Sequence, residues 1–123
     1  MAEEYKLDRP EAVTCPECGG AVSTEKTGTL LQYRCHIGHV LTADTMLAAQ
    51  FTVLEAKLGA CLVALKERAE VCRNMIEAAA PGQDVASLQA ARREALERAE
   101  VIKRLLESEW VETGRDYAKQ MRV

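Results

Sequence analysis

Two short strings in the first third of the chain carry the residue types that do metal chemistry. Cys15-Pro16-Glu17-Cys18-Gly19-Gly20 sets two thiols either side of two residues. At that spacing both sulfurs reach one tetrahedral ion, and the glycine after the second lets the backbone turn and aim N–H groups at sulfur. Cys35-His36-Ile37-Gly38-His39 then supplies a third thiol and an imidazole, so the pattern reads C-x2-C-x16-C-x3-H. Thiolate and imidazole together select Zn²⁺, with iron as the lesser alternative. The expected ligands are Cys15, Cys18, Cys35 and His39. Gly38 gives His39 the tight turn that swings a second-knuckle ligand back, whereas His36, next to Cys35, tends to point elsewhere; a contribution from His36 stays open. The opposing reading is three free thiols and two surface histidines. Three thiolates and one imidazole close the coordination shell, so the expected metal role is structural and no catalytic residue is expected.

The elements that must position these ligands follow from the intervening residues. Ala21–Thr24 and Thr29–Arg34 flank a turn containing Gly28, which reads as a β-hairpin joining two metal knuckles. Residues 13–42 are thus expected to form a small zinc ribbon. A segment of ~30 residues has little core of its own, so the metal would supply its folding free energy. Residues 1–12, acidic and containing Pro10, read as a flexible leader in which Tyr5 and Leu7 are the docking candidates.

From Thr42 the pattern changes. Thr42 is placed as an N-cap and Asp44 lies in the first turn, where the helix dipole favours negative charge. Leu47, Phe51, Leu54, Leu58, Cys61, Leu65, Cys72, Met75 and Ala79 recur at steps of four and three, broken by Arg68, which predicts a heptad seam over 43–79. Leu62, Ala69 and Ile76 widen it on one flank. Cys61 and Cys72 are expected to be buried thiols in that seam. Ala80-Pro81-Gly82-Gln83 ends the helix. Asp84 or Ser87 can cap a second helix over about 84–120, with a seam of Leu88, Ala91 or Arg92, Ala95, Ala99, Ile102, Leu106, Trp110 and Tyr117. Residues 43–123 are therefore expected to be an antiparallel helical hairpin with helices of similar length. Its surplus apolar residues suggest a homodimer, forming a four-helix bundle.

The rest of the composition narrows the function classes. Sixteen basic and nineteen acidic residues give a net charge of -3 and a pI near 5.5. Polyanion binding needs a basic face, so nucleic acid is not the expected partner. Arg92 to Arg98 alternates charge signs, as solvated helix faces do. No run of apolar residues approaches the ~18 of a spanning helix, and the start lacks a signal-peptide pattern. The expected compartment is the cytoplasm, where clustered cysteines more often hold metal than pair as disulfides. No nucleophile elbow, phosphate-binding loop or dinucleotide fingerprint is present, so no enzyme is expected.

Taken together, Cys15-Pro16-Glu17-Cys18-Gly19-Gly20, Tyr33-Arg34-Cys35, Gly38-His39, the cap at Thr42 and the run Met46-Leu47-Ala48-Ala49-Gln50 have a counterpart. They resemble the zinc-ribbon-plus-helices segment at the C-terminus of some bacterial chemotaxis methylesterase-like proteins. There the pattern is C-P-x-C-G-G, F-R-C-x-x-G-H and a capped L-L-A-x-Q helix; Tyr33 stands here in place of Phe. The resemblance covers residues 13–78 and, more loosely, the second helix. It implies the same four ligands and a link to chemotaxis-type signalling. It implies no ester hydrolysis, because the family's catalytic serine lies in a separate α/β domain that these residues do not contain. The expected function is a non-catalytic, zinc-binding regulatory or protein-interaction module with an unidentified protein partner. The alternatives are a nucleic-acid-binding zinc ribbon and an accessory subunit of a methylesterase-like enzyme.

Overall fold

A computed structural model describes residues 3–111. Within it the chain divides into two units, one ending at Gln50 and the other running from Phe51 to Val111. The first unit is a four-stranded antiparallel sheet in simple sequence order: β1 (Val13–Thr14), β2 (Ala21–Thr27), β3 (Leu30–Cys35) and β4 (Val40–Thr42). The predicted hairpin is its centre. Thr27 pairs with Leu30, leaving Gly28 and Thr29 as a two-residue loop. Gly28 takes φ 62° there, the positive angle that this tight connection demands at its first central position. Two further short strands were not legible from the sequence. Val13 pairs with Val22, and Arg34 with Val40, so β1 and β4 flank the hairpin and each knuckle becomes a turn between neighbouring strands.

Strand alternation decides what this unit buries. Val22 and Cys35 are paired across β2 and β3. Together with Cys15, Leu41 and Met46 they make a buried cluster, with Tyr33 packed against it. Met46 belongs to the first turn of helix α1 (Ala43–Glu77), which follows β4 without a loop. Thr42 occupies the position before α1, but its hydroxyl donates to the Thr45 hydroxyl at 2.9 Å, so the cap interaction runs between side chains. Asp44 sits in the first turn as expected.

The second unit holds the rest of α1 and helix α2 (Ala86–Glu107). On α1 the burial keeps Phe51, Leu54, Leu58, Leu65, Cys72 and Ala79 of the predicted seam and shifts the rest. Leu58, Leu62, Leu65, Ala69, Cys72, Ile76 and Ala79 are half-buried or buried, again at steps of four and three. The residues read from sequence as a flank are thus part of the seam itself, while Leu47, Cys61 and Met75 are exposed. Both registers offer an apolar heptad. The one chosen places small Ala69 and Cys72 at the buried positions, alongside the buried Ala95 and Ala99 of α2. Leu88, Ala91, Ala95, Ala99, Ile102 and Leu106 form the α2 stripe as predicted, with Arg92 exposed.

The ends of α2 differ from expectation. Val85 holds the N-cap position without a side-chain bond. Asp84 captures the Ala86 N–H at 2.9 Å, and Ser87 lies inside the first turn. At the other end, the Ser108 hydroxyl donates to the Leu105 carbonyl at 2.6 Å and the backbone turns extended. At 1.5 Å per residue α2 is ~33 Å long against ~52 Å for α1, so the helices are unequal. Trp110 lies beyond the helix, yet it folds back: its indole N–H donates to the Leu105 carbonyl at 3.0 Å. Its ring meets Phe51 edge-on, with centroids 5.6 Å apart. That contact joins an early residue of this unit to its end, as an antiparallel pair of helices would. The part of the predicted second helix beyond Val111, including Tyr117, lies outside the described residues.

Candidate metal centre

The two knuckles bring the four predicted donors together. Their ligating atoms, the Sγ of Cys15, Cys18 and Cys35 and a ring nitrogen of His39, all lie within 4.8 Å of one another. Ligand bonds of ~2.3 Å to sulfur put the donors of a tetrahedral site ~3.8 Å apart. Cys15 Sγ and His39 Nδ1 stand at 3.8 Å. The residues therefore could bind one metal ion, and a donor set of three thiols and an imidazole fits a thiophilic tetrahedral cation.

Each knuckle is shaped by backbone hydrogen bonds. The Cys15 N–H donates to the Gly20 carbonyl at 2.7 Å, and the Gly19 N–H to the Cys15 carbonyl at 2.9 Å. In the second knuckle the Cys35 N–H donates to the His39 carbonyl at 2.9 Å and the Gly38 N–H to the Cys35 carbonyl at 3.1 Å. Gly19 (φ 76°) and Gly38 (φ 100°) take the left-handed turns that these loops need. The loops also present N–H groups to sulfur, and the His39 N–H reaches Cys35 Sγ at 3.2 Å.

These donors set the acidity of the thiols. Backbone hydrogen bonding from Cys18 outweighs burial and brings Cys15 down to about 7. At Cys35 burial pushes upward, but the N–H groups of Ile37 and His39 prevail and the thiol is more acidic than usual. At Cys18 the Gly20 N–H pulls downward; burial and the neighbouring Cys15 and Cys35 sulfurs override it and raise the thiol. His39 is more basic than usual, first through its contact with Cys15 and then through the charges of Cys35 and Glu17. Without metal the cluster thus holds protons that a bound cation would displace.

The other histidine is placed elsewhere. His36 is exposed, and its ring lies over Gly20: a Cβ built on Gly20 would stand 2.2 Å from His36 Cε1. His36 packs on the first knuckle, outside the donor set. Glu17, a role that sequence spacing did not reveal, sits 3.5 Å from His39 Nε2. With Nδ1 turned to Cys15 and Nε2 to a carboxylate, His39 has the arrangement that orients metal-binding imidazoles and makes them better donors. The signal for Glu17 was its position inside the first knuckle, but spacing alone does not say which loop residue faces the opposite ligand. Cys72 is buried in the helical unit and Cys61 is exposed there, both apart from this cluster.

Set against protein-family models, curated proteins and solved structures, the chain matches none of them.

Proposed function

We propose that Cys15, Cys18, Cys35 and His39 bind one structural Zn²⁺, and that the ribbon so fixed carries its helical hairpin as a non-catalytic, cytoplasmic protein-interaction or regulatory module. The convergence of four donors within 4.8 Å carries this reading. The shell is closed by protein groups, which leaves no position for an activated water and favours a structural over a catalytic ion. The link to chemotaxis-type signalling rests on the motif resemblance alone. The same is true of an accessory role beside a methylesterase-like enzyme.

The charges weigh against a nucleic-acid ribbon. Of the two basic residues on the hairpin, Arg34 is held by Glu25 at 3.1 Å, leaving Lys26. A membrane is the other competing setting. Helix α1 contains an 18-residue window of mean hydropathy 1.4, long and apolar enough to cross a bilayer by length and composition. Against that setting, Glu55 and Lys57 fall within α1, and a charged side chain near a bilayer centre costs ~2.5–3.5 kcal/mol.

Metal analysis of the full chain, purified without chelator, tests the proposal. One zinc per chain is expected. Cys35→Ser and His39→Ala should lose it and His36→Ala should keep it. Zinc-free protein with an unchanged ribbon spectrum would refute the reading.

A further inference from the structure

Helix α1 carries a second periodic stripe that the hairpin leaves uncovered. Val53, Lys57, Ala60, Ala64, Glu67 and Val71 succeed one another at steps of four and three, about 130° round the helix from the seam. Ala60, Ala64, Lys57, Glu67 and Val71 are exposed and Val53 is half-buried. The stripe combines two small residues, two valines and two opposite charges, a pattern with the period of a helix–helix contact.

The residue types along the stripe say what the other side is. Counted outward from position 62, the stripe is self-complementary: Ala60 mirrors Ala64, Lys57 mirrors Glu67 and Val53 mirrors Val71. Two copies of α1 laid antiparallel with position 62 at the two-fold axis would therefore oppose alanine to alanine, lysine to glutamate and valine to valine. A two-fold contact makes each pairing twice. Small residues at the centre let the backbones approach closely, and two ion pairs with valines beyond them fix the register. Neither Lys57 nor Glu67 has an ion-pair partner among the described residues, so both charges are available. A parallel pair would set Lys57 against Lys57 and Glu67 against Glu67, which excludes that orientation.

We propose that a second copy of this chain docks on this stripe, the two α1 helices running antiparallel about position 62 with reciprocal Lys57–Glu67 pairs. The proposal deepens the interaction-module reading by naming the partner, but it does not depend on the metal. The seam within each hairpin is left intact, so the dimer is a four-helix assembly with α1 at its centre.

Sedimentation velocity on the zinc-loaded full chain tests it, with zinc content measured on the same samples so that the two readings fail separately. The wild type should be dimeric by ~100 μM, a range in which a weak specific dimer is populated. Lys57→Glu sets two glutamates against two glutamates and should weaken association at least ~10-fold, and Glu67→Lys should do the same with lysines. The double variant Lys57→Glu/Glu67→Lys restores opposite charges and should return to within ~3-fold of wild type. Helical circular dichroism should be unchanged in all three, because both sites are exposed. A wild type that stays monomeric at that concentration overturns the proposal, as does a double variant no tighter than the singles. A monomer that instead co-sediments with phosphatidylcholine vesicles overturns it in favour of a lipid surface.

Discussion

The two units bury their interiors by different means. In the ribbon two of the five buried core residues, Cys15 and Cys35, are themselves candidate metal ligands. The core and the candidate metal site are one structure there. In the helical unit the buried positions are small and apolar, Ala69, Cys72, Ala95 and Ala99. If the proposed ion is bound, the first unit's fold is conditional on it, whereas the second's depends on packing.

The sharpest way to break the contrast is to strip the metal. Chelation, or Cys35→Ser, should abolish hydrogen-exchange protection across β2 and β3 while the amides around Ala69, Cys72 and Ala95 keep theirs. Equal loss in both units would end the distinction. The converse strikes the packing. Ala95→Leu overfills a position that is 2% exposed. It should cost about 1–3 kcal/mol, lowering the helical melting temperature with zinc content unchanged.

Glu17→Gln probes the boundary between metal site and scaffold. Removing the carboxylate beside His39 Nε2 should weaken zinc affinity about 10-fold, at the low end for such partners, without ejecting the metal at stoichiometric concentration. Competition with a chromophoric chelator reads this directly. The smallest effect concerns the helix surface. The hydrogen bond from Lys103 to Glu107 raises the lysine above its ordinary value. A raised folded value means that its stabilisation is complete below the ordinary lysine pKa and fades as pH rises through the raised one. The melting-temperature gap between wild type and Glu107→Gln should therefore be small at neutral pH and vanish at strongly alkaline pH.

Much of the ribbon was legible because ligand spacing is rigid: two loops of fixed length around a hairpin leave few ways to arrange Cys15, Cys18, Cys35 and His39. Strands β1 and β4 were not, since two or three residues show no alternation and form only once the knuckles bring them beside the hairpin. On α1 the period was legible and the face only in part. Phe51, Leu54, Leu58, Leu65, Cys72 and Ala79 are covered as expected, but beyond Leu58 the covered face turns towards Leu62, Ala69 and Ile76 and away from Cys61 and Met75. The end of α2 at Glu107 was hidden because Trp110 keeps helical spacing while reaching Phe51 from non-helical backbone.

The ring of His36 over Gly20 has a consequence for how this sequence can drift. A side chain at position 20 and an imidazole at position 36 compete for the same space, so a substitution at 20 requires the exposed ring to move or to shrink. In descendants of this chain, any departure from glycine at 20 should travel with a smaller residue at 36. The reverse order of change is the open route, because shrinking 36 first harms nothing in the donor set. The two positions are thus coupled in one direction only, by a steric rule beside the candidate donors.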